Sequence, residues 1–367
     1  MKDTPLDTSE ALAAFFVSRP ISCEPYGNGH INDTFLTVHE RGRFILQRMN
    51  TVVFPHPEKL MENIIGITEH IRSKARLASE DISRCTLVVV PTASGANFFV
   101  DSSGSYWRLY EFTEGTVTLE AVENADDFYR CAEAFGKFGQ LLADYPAHTL
   151  NEPIPDFHNT PRRYENLMRA AKKDVCGRAA EVQQEMSFAK DREQFCRTLE
   201  DAHAAGLLPL RVTHNDTKLN NILFDEKTLA PVCVIDLDTV MPGYSVNDFG
   251  DSIRFGANTA AEDDRELSRV QLDLGLFEAY ASGFLKGCGK SLTKAETDLL
   301  PTGAIMMTLE CGMRFLTDYL EGDVYFKTHR PSHNLDRARN QFALVADMER
   351  KLDDMKAIID KLKDQYA

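Results

Sequence analysis

The order of its secondary-structure signals constrains this chain most. Strand signals crowd the first third, and helical periodicity takes over afterwards. Six apolar or alternating runs, ISCEPY, DTFLTVHE, RFILQRM, TLVVV, NFFVD and SYWRLYEF, fall within the first 115 residues. Turn residues separate them in GNGHIN, ERGR, TASGA and DSSGS, as antiparallel strands with short connections require. One short helix is expected ahead of them at 8–18. A second interrupts them at 57–75, where Leu60, Ile64, Ile65, Ile67 and Ile71 form an apolar face.

From about residue 124 the pattern turns helical. AFGKFGQLLADY is amphipathic, and TPRRYENLMRAA opens with Thr160 as the expected N-cap and Pro161 at the first helical position. Residues 335–364 space Phe342, Val345, Met348, Leu352, Met355, Ile359 and Leu362 three and four apart, a coiled-coil-like seam expected to dock on its own domain. Two short apolar runs break the helical pattern: NILFD and PVCVIDLD, separated by EKTLA, read as a hairpin carried inside the helical part. The expected fold is therefore α+β and bilobal. A small β-rich N-terminal lobe (1–115) has its hinge near 110–116, and a larger, mainly helical C-terminal lobe (116–367) follows. A chain of 367 residues is long enough for two such lobes around a cleft.

The net charge of −15 argues against a nucleic-acid or anionic-membrane partner, each of which favours a basic surface. Eight cysteines include no C-x-x-C pair, so no zinc or dithiol motif is signalled, and Cys233 and Cys311 read as core thiols. The N-terminus lacks the basic-then-apolar pattern of a signal peptide, and no run of about 18 apolar residues suggests a membrane span. A cytoplasmic protein with no obligate protein partner is expected.

The hairpin is preceded by THNDTKLNN, and there the chemistry concentrates. Phosphoryl transfer needs a carboxylate to orient the nucleophile and divalent metal to bridge the phosphates. Kinases space these groups as H-x-D-x-x-x-x-N, with an aspartate on the following hairpin. Here His214, Asp216 and Asn221 fit that spacing, and Asp236 follows the next apolar run. Asp216 would point at an acceptor hydroxyl, while the Asn221 amide oxygen and the Asp236 carboxylate would take Mg²⁺, which prefers oxygen ligands. Taken singly, Asp216 and Asn221 read equally as turn formers, Asp236 as a solvated strand end, and His214 as a structural histidine. Their conjunction after a β-rich lobe favours the kinase site. Asp248, in SVNDFGDSIRFG, would either brace this loop through its backbone N–H groups or sit as a plain carboxylate at a helix N-terminus. Asp251 and Arg254 on the same helix would pair with each other. The short span from Asp238 to Asp248 leaves no room for a peptide platform, so a small-molecule acceptor is expected.

For the nucleotide, Gly27 and Gly29 in YGNGHINDTF could fold a hairpin backbone over phosphates. The lysine expected on the third strand is missing. Gln47 and Arg48 are the candidates there, Arg48 by charge and Gln47 by register. YEFTEG, with Phe112 and Glu114, is placed to bond adenine through its backbone.

These motifs resemble the aminoglycoside phosphotransferase-like kinase family. HNDTKLNN with VIDLD matches its signature, and the resemblance runs from about residue 20 to 345. GNGHIN, FILQRMN and ECGMRFLTDYLEGDVYF are most similar to the branch that phosphorylates N-acetylhexosamines. The resemblance implies ATP and Mg²⁺, a sugar acceptor phosphorylated on its anomeric oxygen, Asp216 as base, and Arg314 and Tyr325 as sugar contacts. An Arg314–Glu310 salt bridge is the structural alternative for that arginine. Other small alcohols (homoserine, methylthioribose, choline, aminoglycosides) and a pseudokinase are the alternative functional readings.

Overall fold

A short helix α1 (Ser9–Phe15) buries Ala11, Leu12 and Phe15 with Leu46, Trp107 and Leu109. The last three lie on a five-stranded antiparallel sheet of β1 (Ser22–Pro25), β2 (Asp33–His39), β3 (Gly42–Met49), β4 (Phe99–Val100) and β5 (Tyr106–Glu111), in the order β1-β2-β3-β5-β4. Alternation along β2 and β3 explains their pairing: His39 faces Gly42, a two-residue turn joins them, and the register runs on to Asp33 opposite Arg48. α2 (Pro57–Leu77) carries Pro57 at its start, Glu58 in its first turn and Lys74 and Arg76 in its last, all favoured by the helix dipole. TLVVV yields only a single bridge, Val89 to Tyr110, instead of a regular strand.

The computed structural model describes residues 6–15, 20–27, 29, 31–79 and 81–366. It divides into two compact units. The first is Met1–Val117 with Thr149–Pro155 and Leu223–Met241; the second is Thr118–His148, Asp156–Ile222 and Pro242–Ala367. The division departs from the linear one expected from sequence. β8 (Ile222–Asp225) and β9 (Pro231–Val234) form a three-stranded sheet with β6 (Thr116–Val117), in the order β6-β8-β9. Antiparallel pairing of Thr116 with Asp225 and Val117 with Phe224 draws the hairpin into the first unit rather than the helical one.

The second unit is helical, comprising α3 (Ala125–Leu141), α4 (Thr160–Lys173), α5 (Gln183–Lys190), α6 (Thr198–Ala204), α7 (Ser245–Gly256), α8 (Leu274–Cys288), α9 (Lys294–Asp298), α10 (Leu300–Glu321), α11 (His333–Arg350) and α12 (Leu352–Tyr366). A short strand β7 (Arg211–Thr213) leads into the polar loop. α10 is buried along most of its length and packs against α4, α7 and α11. Glycines permit the close crossing of α7 and α10: a Cβ on Gly250 of α7 would stand 2.3 Å from the Gly303 carbonyl oxygen of α10, so the two backbones touch only because both positions lack side chains. Among the described residues, no helix is long and apolar enough to cross a membrane.

Two local expectations are corrected. The N-cap of α4 is Asn159, whose side chain accepts the Arg162 N–H at 3.0 Å; the Thr160 hydroxyl is used elsewhere, donating to buried Glu310. The C-terminal segment is two helices, not one. Asp347, in the last turn of α11, accepts the Leu272 N–H at 2.7 Å and pairs with Arg350 and Lys351, and the chain turns at Lys351 without glycine or proline. Met355, Ile359 and Leu362 are buried as α12 packs on α8, so the seam is used within the chain.

Candidate active site

The polar loop that follows β7 is fixed from beneath by the first turn of α7. Both carboxylate oxygens of buried Asp248 accept loop backbone donors, the His214 N–H at 2.8 Å and the Asn215 N–H at 2.7 Å. Thr217 donates its hydroxyl to the Asp248 carbonyl at 2.7 Å, and Ser252 donates to the Thr217 carbonyl at 2.7 Å, itself receiving the Tyr280 hydroxyl at 2.6 Å. Burial pushes the Asp248 carboxyl above its ordinary value, and the opposing pull of His214 and of the two N–H groups does not cancel that rise. His214 is fully buried, edge-on to Phe135 and Phe138 of α3, and its Nδ1 accepts the Asp216 N–H at 3.3 Å.

Asn215 adopts a left-handed φ of 64°, and this turn brings Asp216 to the surface of the loop. Its carbonyl meets His158 Nε2 at 3.3 Å, while His158 Nδ1 lies 2.9 Å from Glu310 on α10. Glu310 would be raised by burial, but His158, Arg314 and the Thr160 hydroxyl outweigh that and hold it below its ordinary value. The loop thus rests on α7 and, through His158, on α10.

Each oxygen of the Asp216 carboxylate has a donor. Lys218 Nζ lies 2.6 Å from Oδ1, and the Asn221 Nδ2 donates to Oδ2 at 3.1 Å and to the Asp216 carbonyl at 2.8 Å. Spending its nitrogen this way leaves the Asn221 amide oxygen as the atom suited to a hard cation. Burial works against the Lys218 ammonium, but Asp216 and Asp251 outweigh it and its pKa is raised, so it stays charged. Sequence reasoning missed Lys218; its place two residues after the aspartate was the available signal. Asp251 pairs with Arg254 at 3.0 Å, and Arg254 also reaches Glu262 at 2.6 Å.

Arg314 forms no hydrogen bond or ion pair among the described residues. Its guanidinium carbon lies 5.4, 5.9 and 5.5 Å from the ring centres of Phe157, Tyr325 and Phe326. The alternative salt bridge to Glu310 does not form, because Glu310 is taken by His158 and Thr160. Tyr325 is 66% exposed. Its loop is held by buried Asp318, which accepts the backbone N–H groups of Val324, Tyr325 and Phe326 at 2.7 to 2.9 Å.

The remaining candidates lie in the first unit. Asp236 follows β9 with an exposed side chain and a left-handed φ of 58°, opening a single 3-10 turn, Leu237–Thr239. Gly27 also has a left-handed φ, 78°, and a Cβ at Gly27 or Gly29 would meet nothing within 4 Å; Asn28 and His30 of the same turn lie outside the described residues. Gln47 and Arg48 face opposite sides of β3. Arg48 pairs with its cross-strand neighbour Asp33, whereas Gln47 bonds Thr34 and Arg108. Phe112 lies under the Arg43 guanidinium, which pairs with Glu114. The N–H groups of Glu111 and Phe112 are spent on Val88 and Arg43, leaving the backbone from Thr113 onward for any base contact.

The sequence profile of the phosphotransferase enzyme family matches residues 22–283, well over half of the chain. This chain belongs to that family. Its fold is the protein-kinase-like α+β fold of the phosphotransferase family. Among solved structures it is similar to an aminoglycoside phosphotransferase from Alicyclobacillus acidocaldarius (14% identity, TM-score 0.61, 100% of this chain and 98% of that one). It is also similar to a microcompartment-associated aminopropanol kinase (18% identity, TM-score 0.59, 95% and 98%). A third is a spectinomycin phosphotransferase solved with ADP and spectinomycin (11% identity, TM-score 0.56, 95% and 100%).

Proposed function

We propose that this phosphotransferase moves the γ-phosphoryl group of ATP to the anomeric hydroxyl of an N-acetylhexosamine, N-acetylglucosamine or N-acetylgalactosamine, giving the 1-phosphate. The observation that carries the reading is the Asp216 carboxylate, held between Lys218 and Asn221 on a loop clamped by Asp248. In this reading Asp216 orients the acceptor hydroxyl and takes its proton as the O–P bond forms. An anomeric hydroxyl is more acidic than an ordinary alcohol, so a carboxylate can serve as its base. Lys218 keeps a positive charge beside Asp216, suited to an incoming phosphoryl oxygen. Phosphoryl transfer relies on such positioning and charge neutralisation rather than on covalent chemistry.

In this reading Mg²⁺ is assigned to Asn221 and Asp236, because the uncommitted amide oxygen of the one and the exposed carboxylate of the other are each a hard oxygen ligand. When bound, the ion neutralises phosphate charge. Gly27 and Gly29 are assigned to the phosphates, Gln47 to the same end, and the segment containing Phe112 and Glu114 to the base.

Arg314 and Tyr325 are assigned to the sugar. A guanidinium without a carboxylate partner, ringed by Phe157, Tyr325 and Phe326, offers donors to hydroxyl and acetamido oxygens and aromatic faces to the sugar ring. Arg163 adds to the positive field, its pKa lowered by burial and by Arg314. Two cations here disfavour polycationic aminoglycosides. The alternative acceptor is another small alcohol (homoserine, methylthioribose, choline or an aminoglycoside) using the same Asp216 chemistry.

The test is ADP release from ATP and Mg²⁺ with N-acetylglucosamine, N-acetylgalactosamine, glucose, homoserine, choline and kanamycin as acceptors, and phosphorus NMR of any product. Turnover confined to the acetylated hexosamines, with phosphate on the anomeric oxygen, is expected. Turnover with choline or kanamycin alone would discard the sugar assignment.

A further inference from the structure

The lysine expected on β3 is absent, and the first unit contains a buried arginine on the neighbouring strand opposite that position. Arg108 lies on β5 directly opposite Gln47, so the two side chains share one face of the sheet. Arg108 is 1% exposed, and its guanidinium grips Asp238 with Nη1 to Oδ1 at 2.5 Å and Nη2 to Oδ2 at 2.9 Å. Its Nε donates to Gln47 Oε1 at 2.9 Å, and Gln47 in turn donates to Thr34 at 3.0 Å. Asn32, in the turn between β1 and β2, gives Asp238 a further donor at 2.7 Å and receives the Asn50 N–H at 3.0 Å. The bonds therefore run unbroken from Thr34 through Gln47 and Arg108 to Asp238.

Asp238 stands two residues beyond Asp236, inside the same 3-10 turn. Asp236 holds a left-handed φ that a non-glycine residue keeps only when its surroundings over-determine it. The forked grip on Asp238 supplies that constraint on one side and β9 on the other. The same arrangement accounts for the missing lysine. A second cation at position 47 would face the buried guanidinium across the strand pair, whereas the glutamine oxygen accepts from it.

We propose that Arg108 is a positioning residue for the metal-nucleotide site: acting through Asp238, it fixes the turn that presents Asp236, with Gln47 as its anchor in place of a β3 lysine. This rests on the assignment of Asp236 to Mg²⁺ made above.

The experiment is calorimetric titration of the full chain with ATP, once with Mg²⁺ and once with chelator. The ratio of the two dissociation constants is compared for wild type, Asp236→Asn, Arg108→Gln and Arg108→Lys, with thermal melting as the check on folding. Arg108→Lys keeps the buried charge opposite Asp238 but cannot span both oxygens. It should melt cooperatively, bind metal-free ATP as wild type does, and lose about tenfold of the Mg²⁺ enhancement, with a larger loss in Arg108→Gln. A folded Arg108→Lys protein with the wild-type ratio overturns the proposal. So does an equal loss with and without metal, which marks a packing role, and so does failure of the lysine variant to fold. A wild-type ratio in Asp236→Asn overturns the metal assignment itself, and this inference with it.

Discussion

Replacing Asp248 tests how the polar loop is held. Its carboxylate accepts two backbone N–H groups at 2.8 and 2.7 Å, and in Asp248→Ala both donors become buried without partners. Bonds to a charged acceptor contribute about 1.5–3 kcal/mol each, and an unmet buried donor costs a similar amount. The expected loss is about 4 kcal/mol, in the lower half of the roughly 3–6 kcal/mol to which the two bonds sum, because burial already opposes the ionised carboxylate and that cost disappears with it. Asp248→Asn keeps one acceptor and should lose about 2 kcal/mol. The single tryptophan, Trp107, lies in the first unit, so its fluorescence does not report on this loop. Far-UV circular dichroism during urea unfolding is the appropriate probe, since most helices belong to the second unit. Loop displacement should also reduce turnover at saturating ATP in both variants. An alanine variant within about 1 kcal/mol of wild type, with unchanged turnover, would refute the bracing role.

Other outcomes are expected elsewhere. Arg314→Ala should raise the acceptor KM about tenfold or more and leave the ATP KM unchanged, whereas a parallel rise in both would mark a packing role. Gly250→Ala should destabilise by at least about 2 kcal/mol in urea, because its Cβ would meet the Gly303 carbonyl of α10. Buried Glu296 is held below its ordinary 4.5: burial raises it, but Arg211, the Thr293 N–H and Ser245 outweigh burial. Its stabilisation should be complete above that ordinary value and fade as pH falls through the lower folded one. Glu296→Gln should therefore cost stability at neutral pH and flatten the acid limb of the melting curve.

Local sequence carried much of this architecture. The alternation of β2 and β3, the apolar face of α2, and the polar loop between β7 and β8 were all legible because each depends on neighbours a few residues away. Asp248 was nameable because helix-start carboxylates are common, but its choice of loop N–H groups over solvent needed the tertiary fold. Arg108 escaped notice entirely, for its partner Asp238 is 130 positions distant and its strand reads as apolar. Thr160 outranks Asn159 as a cap only by its adjacency to Pro161; its hydroxyl instead donates to buried Glu310, far along the chain. The turn at Lys351 carries no glycine or proline, and the contacts made there, from Asp347 and Lys351 to Leu272, are distant in sequence. The hairpin was recognised, but its sheet partner β6 is two residues long and signals nothing by itself.

The most direct test of the account is Asp216→Asn, assayed for phosphate transfer at saturating ATP, Mg²⁺ and N-acetylglucosamine, with ATP affinity measured in parallel. Asparagine keeps the shape and a hydrogen bond but cannot take the hydroxyl proton. Turnover should fall by a factor on the order of a thousand or more with ATP affinity nearly unchanged, since the base acts in the transition state. Turnover within a few fold of wild type would contradict the account.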